Sequence, residues 1–369
     1  MSISPSVVRA MSTNVADASV GYLGWSGRSN LGDDVLFEVI ADALPEVRFA
    51  QLPMSAGELA RSGVSGAKSR KDRPLILGGG TAVGRKNWRA ALKAATISCG
   101  AEHHLVGVGV EDPRFQGLHS FSSGGELQRW RSTLKRFDRV TVRGPNSAAL
   151  LADIGVEAAV VGDPALLLRN AVESPGAAGR CGALGISLGY GDDLWGHDHA
   201  RVVDAMAEVA VKRVRDGQEV VFIVVNPDDE KFAKAVAAAL PKGSFRFERP
   251  QTSAAFLATA AECALVVAER LHAGILAVSA EVPTVMLEYQ PKVRDFMDSI
   301  DAGDLCVRVD RLSSGGVLDL AARAVADTRQ QVRTVQRVAE LRARLTREIE
   351  ILSASVRLRL GLPDLRLAA

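Results

Sequence analysis

Short runs that are apolar on both faces alternate along this chain with longer stretches of helical period. Nothing else in the sequence constrains the fold as strongly. The runs VVFIVV at 220–225 and ALVVA at 264–268 offer water no polar face. Strands in a parallel sheet covered by helices on both sides have this character. Strand candidates in the first half are Ser19–Leu23, Val47–Gln51, Pro74–Leu77, Leu105–Val110, Arg139–Arg143 and Glu157–Val161. Those in the second half are Ala183–Leu188, Glu219–Val225, Ser244–Phe247, Cys263–Ala268, Thr284–Leu287 and Leu305–Val307. Helical periodicity fills most gaps between them, as at Asp33–Ala43 and Ala200–Val214. Strand, helix, strand repeated through both halves predicts two doubly wound, Rossmann-like α/β domains.

The 369 residues suit two such domains. Residues 1–18 read as a flexible tail, 19–170 as the first domain and 181–317 as the second. The turn-prone stretch Leu168–Arg180, which contains NAVESPGAAGR, reads as the linker. Within 318–360, Val325, Val332, Val335, Leu341, Leu345, Ile349, Leu352 and Val356 recur at three-, four- or seven-residue spacing. That pattern predicts one long amphipathic helix, or two with a break. Open α/β sheets bind ligands beyond the carboxyl ends of their strands, so the cleft between the domains is the expected site.

Composition excludes several classes. Hydrophobic residues make up 47% of the chain and charged residues 24%, which is too apolar for a disordered protein. A net charge of +2 gives no general footprint for a nucleic-acid partner. The four cysteines, Cys99, Cys181, Cys263 and Cys306, form no C-x-x-C pair, and no metal-ligand set is expected. No apolar run approaches the length of a membrane span, and residues 1–18 lack the apolar centre of a secretory signal. A reduced, cytoplasmic location is the expectation.

Glycine-dense turns follow several strands. The run from Gly21 through Gly24, Trp25 and Gly27 leads to Asn30-Leu31-Gly32-Asp33, where a helix opens. Glycines admit close backbone approach, and a helix start offers free N–H groups to an anion. The run is not G-x-G-x-x-G with a distal acid, so a dinucleotide reading is weak. Asn30 or Asp33 as a plain helix cap is the compatible alternative. Gly78-Gly79-Gly80 ends another strand, at an entropic cost that close approach to a ligand would justify.

Arg143 ends a strand just before Pro145 and Asn146 open a helix. Its planar fork suits a phosphate or carboxylate there, or an interdomain salt bridge. Asp163, in Gly162-Asp163-Pro164-Ala165, reads either as an acceptor of a substrate hydroxyl proton or as an Asp-Pro turn.

The sharpest group is Glu269-Arg270-Leu271-His272, between the strand CALVVA and a helix start. An anion would be bound there, and His272 is the histidine best placed for proton transfer near neutral pH. The next strand ends in Glu288, Tyr289 and Lys292, with Lys292 a second cation for the same anion or a solvated helix-start lysine.

In order and spacing these positions resemble the polysaccharide pyruvyl transferase family over about Gly21 to Ile300. The resemblance rests on Asn30-Leu31-Gly32-Asp33, Gly78-Gly79-Gly80, Arg143 with Ser147, Gly162-Asp163-Pro164-Ala165, Arg270-Leu271-His272-Ala273, and Pro283 followed by Tyr289 and Lys292. It implies a GT-B-like pair of domains, an acceptor side and then a donor side. It also implies transfer of pyruvate from phosphoenolpyruvate to a sugar as a cyclic ketal, with no cofactor beyond that donor. Glycan or glycolipid acceptors are implied partners. Arg270, Leu271 and His272 match the family's donor-site motif, and Arg143 is an implied donor contact. Where members often carry an arginine after the first strand of the second domain, this chain has Ser187-Leu188-Gly189-Tyr190-Gly191. On this reading His272 acts as the acid, with Asp163, Glu269 or Glu288 as base. Asn30, Asp33, Gly79, Gly80, Tyr289 and Lys292 line the substrate site.

Two rival readings share the architecture: a nucleotide-sugar glycosyltransferase, and a non-catalytic glycan-binding relative. Residues 320–369 carry ten arginines, no lysine and five acidic residues, so this segment is +5 within a chain of net charge +2. A brace packed across both domains is the main expectation for it. Contact with the anionic inner face of a membrane is the other.

Overall fold

A computed structural model describes residues 19–54, 58, 73–100, 102–115, 125–169, 182–189, 191 and 193–363. The expected tail, nearly all of the expected linker, and Tyr190 lie outside them.

The first half contains β1 (Val20–Leu23), α1 (Leu31–Ala43), β2 (Phe49–Gln51), β3 (Leu75–Leu77), β4 (Thr81–Val83), α2 (Lys86–Ser98), β5 (His103–Leu105) and β6 (Gly109–Val110). It continues with α3 (Glu126–Leu134), β7 (Thr141–Val142), α4 (Pro145–Asp153) and β8 (Ala159–Val160). Strands β2-β1-β3-β5 form a parallel sheet in that order. A parallel bridge between Val108 and Val142 carries the layer on to the β7–β8 pair.

The second half contains β9 (Ala183–Ser187), α5 (His199–Arg215), β10 (Val220–Ile223), α6 (Glu230–Ala237), β11 (Phe245–Glu248), α7 (Ser253–Ala261) and β12 (Cys263–Ala268). Then come α8 (Leu271–Ser279), β13 (Thr284–Glu288), α9 (Pro291–Ser299), β14 (Cys306–Arg308), α10 (Ser314–Ala326) and α11 (Thr328–Leu360). Its six parallel strands run β11-β10-β9-β12-β13-β14, the doubly wound order in which the chain reverses direction between β9 and β12. The α/β class, with parallel sheets and a long C-terminal helix, is as the sequence predicts.

The register brings the functional loops together. Leu23 pairs with Leu77, so the turns after β1 and β3 lie side by side. Ala268 pairs with Ser187, which does the same for the turns after β12 and β9. One apolar core runs from Val20 and Phe37 through the second sheet to Leu345 and Val356 on α11, while a separate core around Leu92, Val108 and Trp130 backs the first sheet.

Two details depart from the sequence reading. Leu105–Val110 is two short strands, because Gly107 breaks the run at φ +61°, where a β-carbon would lie 2.4 Å from the Gly162 carbonyl oxygen. The C-terminal segment takes the second of its two expected forms, two helices with a break at Asp327, whose side chain accepts from Gln330 N at 2.9 Å and caps α11. Val325, Val332 and Val335 do not join the packed stripe; they are 48%, 55% and 46% exposed, and the buried face begins at Val338.

Candidate active site

The two halves enclose a cavity of about 500 Å³. The first turns of four helices line it: Gly32 and Asp33 from α1, Asn87 and Trp88 from α2, Leu271 to Ala273 from α8, and Lys292 from α9. The residues capping α2, α8 and α9, namely Arg85, Arg270 and Gln290, make no side-chain capping bond to those turns. Helix starts of this kind favour negative charge. Asn30, Gly79, Gly80, Arg143, Arg270 and Tyr289 also line the cavity, so most of the expected site residues meet there.

Arg143 forms the floor. It is fully buried, and its Nε donates to Asp163 Oδ2 at 2.7 Å. Its Nη1 and Nη2 are buried without a hydrogen-bond partner among the described residues, as are His272 Nε2 and Thr81 Oγ1 in the same cavity wall. Buried donors are seldom left unpaired, and each such group costs about 1–3 kcal/mol. Four unpaired buried polar atoms on one wall suit a charged, polar ligand.

His272 Nε2 lies 3.8 Å from Asp163 Oδ2. Burial, reinforced by Arg143, Lys292 and Arg270 and opposed by Asp163, pushes the imidazole pKa down to about 4. It is neutral at pH 7. Burial and the charges of Arg85, Arg143 and Arg270, opposed by Glu111, bring the Lys292 ammonium down to about 7. Its Nζ sits 4.9 Å from the Tyr289 ring centroid. Arg270 is held from the opposite side, with Nε and Nη2 donating to Asp229 at 2.8 and 2.5 Å. Burial, opposed by Lys292, brings the Asp33 carboxyl up to about 6.

None of the three carboxylates expected as the base lines the cavity. Asp163 is fully buried, with Oδ1 accepting from Ala165 N at 3.0 Å and Oδ2 from Arg143, so it positions its neighbours. Glu269 is also fully buried and accepts from Gly189 N at 2.9 Å, with His199 Nε2 at 3.2 Å. The strand end that carries Glu269 turns it inward, opposite to Arg270. Glu288 is paired with Arg294 at 3.0 Å and lines a separate hollow. Where an arginine was expected after β9, a β-carbon on Gly189 would lie 2.4 Å from Asp229 and 2.6 Å from Arg270 Nε. The Arg270–Asp229 pair fills that space.

The sequence reading missed Thr81, Arg85 and Asn226 as lining residues. Arg85 carried a usable signal, a cation at a helix start directly after Gly84. Asp229 carried none, because its partner Arg270 is 41 residues away.

The sequence profile of the polysaccharide pyruvyl transferase family matches residues 30–291. The chain belongs to this family. The matched span holds every cavity-lining residue named above except Trp25 and Lys292, which flank it. No curated protein matches the sequence. Among solved structures, a putative UDP-N-acetylglucosamine 2-epimerase from Listeria monocytogenes superposes with a TM-score of 0.57 at 13% identity, over 94% of this chain and 98% of that one. The UDP-GlcNAc 2-epimerase of Methanocaldococcus jannaschii gives 0.53 at 11% identity, over 84% and 93%. That of Neisseria meningitidis gives 0.53 at 10%, over 85% and 93%. These likenesses establish that this pyruvyl transferase family member has the GT-B fold. Among its described residues no helix is long and apolar enough to cross a membrane.

Proposed function

We propose that the protein transfers pyruvate from phosphoenolpyruvate to two hydroxyls of a sugar, forming a cyclic ketal on a glycan or glycolipid precursor. The observation that carries this reading is the orphaned wall of Arg143 and His272 beside Arg270, Lys292 and the open helix starts. Phosphoenolpyruvate presents a carboxylate and a phosphate close together, and such a pair requires several fixed cations and free N–H donors.

The chemistry balances with these groups. His272, protonated as the donor's negative charge arrives, gives its proton to the methylene carbon, which becomes the methyl group and leaves C2 electrophilic. One sugar hydroxyl adds to C2 and loses its proton. Phosphate departs with the electron pair of its bond to C2. The neighbouring hydroxyl then adds and loses the second proton. One released proton goes to the phosphate and the other restores His272, so the enzyme returns to its starting state. Arg143, Arg270 and Lys292 hold the donor's charges through these steps.

Incubation with phosphoenolpyruvate and a panel of glycosides, read by mass spectrometry and phosphate assay, tests the proposal. Expected are a gain of pyruvate minus water and loss of both signals in His272→Ala. Nucleoside diphosphate release from a sugar nucleotide instead would assign a glycosyltransferase. Phosphoenolpyruvate binding without turnover would assign a non-catalytic relative.

A further inference from the structure

We propose that the segment from Trp25 to Asp33 is the acceptor subsite, in which Trp25 supports the apolar face of a pyranose ring and Asp33 takes the proton of its attacking hydroxyl. This rests on the donor reading above and adds the second substrate to it.

Asp33 is the one carboxylate among the described residues lining the cavity. Its Oδ2 accepts from Asn30 Nδ2 at 2.5 Å, which fixes the carboxylate plane. Its Oδ1 makes no hydrogen bond to a described residue and lies over Gly80, 3.9 Å from where a β-carbon would stand. That glycine, at φ +94°, leaves space in front of the oxygen. Asp33 directly follows Gly32, which packs on His272, so acid and base line the same cavity from opposite halves. Burial holds the carboxyl near pH 6, the range in which a carboxylate is an effective base around neutrality.

Trp25 supplies the second, independent observation. At 40% exposure it is the one exposed large aromatic among the described residues, and it stands at the cavity mouth. Arg28 covers one face of the indole, its Cζ 4.0 Å from the ring centroid, and is anchored by Glu58 at 2.6 Å. No described ring or cation covers the other face. The loop is fastened on both sides: Gln51 Nε2 donates to Gly24 O at 2.6 Å and Gly27 N donates to Asp34 Oδ1 at 2.6 Å. An apolar platform held this firmly beside polar groups suits a ring with one C–H face and a hydroxylated edge. The proton passes from the sugar O–H to Asp33 Oδ1 as the C–O bond to donor C2 forms, and then to the departing phosphate.

The experiment measures steady-state kinetics and phosphoenolpyruvate binding for wild type, Asp33→Asn and Trp25→Ala, with thermal melts to confirm folding. Expected are a fall in kcat of about 10²- to 10⁴-fold for Asp33→Asn with donor Kd changed less than about threefold. For Trp25→Ala, acceptor KM rises about tenfold or more while donor KM is unchanged, as loss of about 1.4 kcal/mol of ring contact requires. Near-wild-type kcat in Asp33→Asn, or an unchanged acceptor KM in Trp25→Ala, overturns the subsite. An inactive wild type that shows no donor binding overturns the donor reading instead. If Asp33→Asn fails to fold, Asp33→Glu decides: its pH–rate profile must shift on the acid limb relative to wild type, and an unmoved limb rejects Asp33 as base.

Discussion

Gly32 and His272 touch across the cleft so closely that a β-carbon at position 32 would lie 2.5 Å from Nδ1 of the imidazole. The contact ties the first turn of α1 to the first turn of α8 and leaves Nε2 directed at Asp163. Helix propensity alone favours alanine over glycine at a helical position by about 1 kcal/mol. The overlap with His272, whose Cβ would lie 2.9 Å away, outweighs that gain, so Gly32→Ala is expected to lower the melting temperature while displacing the imidazole. Kcat should fall on the order of 100-fold with donor affinity little changed. Parallel melts, kinetics and donor titrations check this, and an unperturbed kcat would mean that His272 does not need its present position.

Arg143 and Asp163 form a pair buried on every side. Removing Arg143 alone strands a buried carboxylate, so Arg143→Ala is expected to lose about 3–5 kcal/mol of stability. Adding Asp163→Asn removes that stranded charge and should recover much of the loss. Phosphoenolpyruvate affinity should stay low in the double variant, because the floor cation is still missing. Denaturant titration and calorimetry separate the two effects; recovery of donor binding in the double variant would limit Arg143 to holding the fold.

The pH dependence of stability follows from His272. Its folded pKa of about 4 lies below the ordinary histidine value of about 6.5. Between those values the unfolded chain binds a proton that the folded protein refuses, so stability falls as pH drops through this window. The penalty reaches about 3 kcal/mol below pH 4. His272→Gln should flatten the acid limb of a stability–pH curve by about that amount and leave the curve above pH 7 unchanged.

Much of this architecture was legible in the chain. Both-face apolar runs located β9, β10, β12 and β13 to within two residues, because strands buried in a parallel sheet are apolar on both faces. Short first-half strands such as Thr81–Val83 were not legible, since three residues carry no period. The Arg-Leu-His turn and the triple glycine led to the cavity because helix starts and strand ends declare themselves locally. Which carboxylate faces that cavity did not. The inward turn of Glu269 depends on His199, 70 residues away, and the burial of Asp163 depends on Arg143, 20 residues away. Asp33 read as a substrate-site residue or a plain helix cap, and the space before its carboxylate comes from the positive-φ turn at Gly80.

Donor binding should be accompanied by proton uptake. At pH 7 His272 is neutral and Lys292, near its pKa of about 7, is half protonated. Negative charge from phosphoenolpyruvate favours the protonated form of both. Calorimetric binding enthalpies in two buffers of different ionisation enthalpy should therefore differ, corresponding to an uptake of about one proton near pH 7. The difference should shrink in His272→Gln. Identical enthalpies in both buffers would place the donor away from these two groups.

The C-terminal arginines are mostly engaged with the protein's own carbonyls and carboxylates. Arg342 is buried; its Nε donates to Leu166 O at 2.7 Å and its Nη2 to Ser279 O at 3.0 Å, joining α11 to both halves. Arg357 binds Glu46 at 2.6 Å and Ala43 O at 3.1 Å, and Arg344 binds Val160 O at 3.1 Å. Val338, Leu341, Leu345, Leu352 and Val356 bury the apolar face against the same surfaces. Arg342→Ala removes the side-chain donor to Ser279 O and one of two side-chain donors to Leu166 O, the Ser279 hydroxyl being the other, and is expected to cost about 1–3 kcal/mol, lowering the melting temperature by several degrees. A membrane role for Arg342, Arg344 and Arg357 would require them to leave their internal partners. Wild type and Arg342→Ala should therefore show equally weak flotation with anionic liposomes, and strong flotation of wild type that Arg342→Ala weakens would restore the membrane reading.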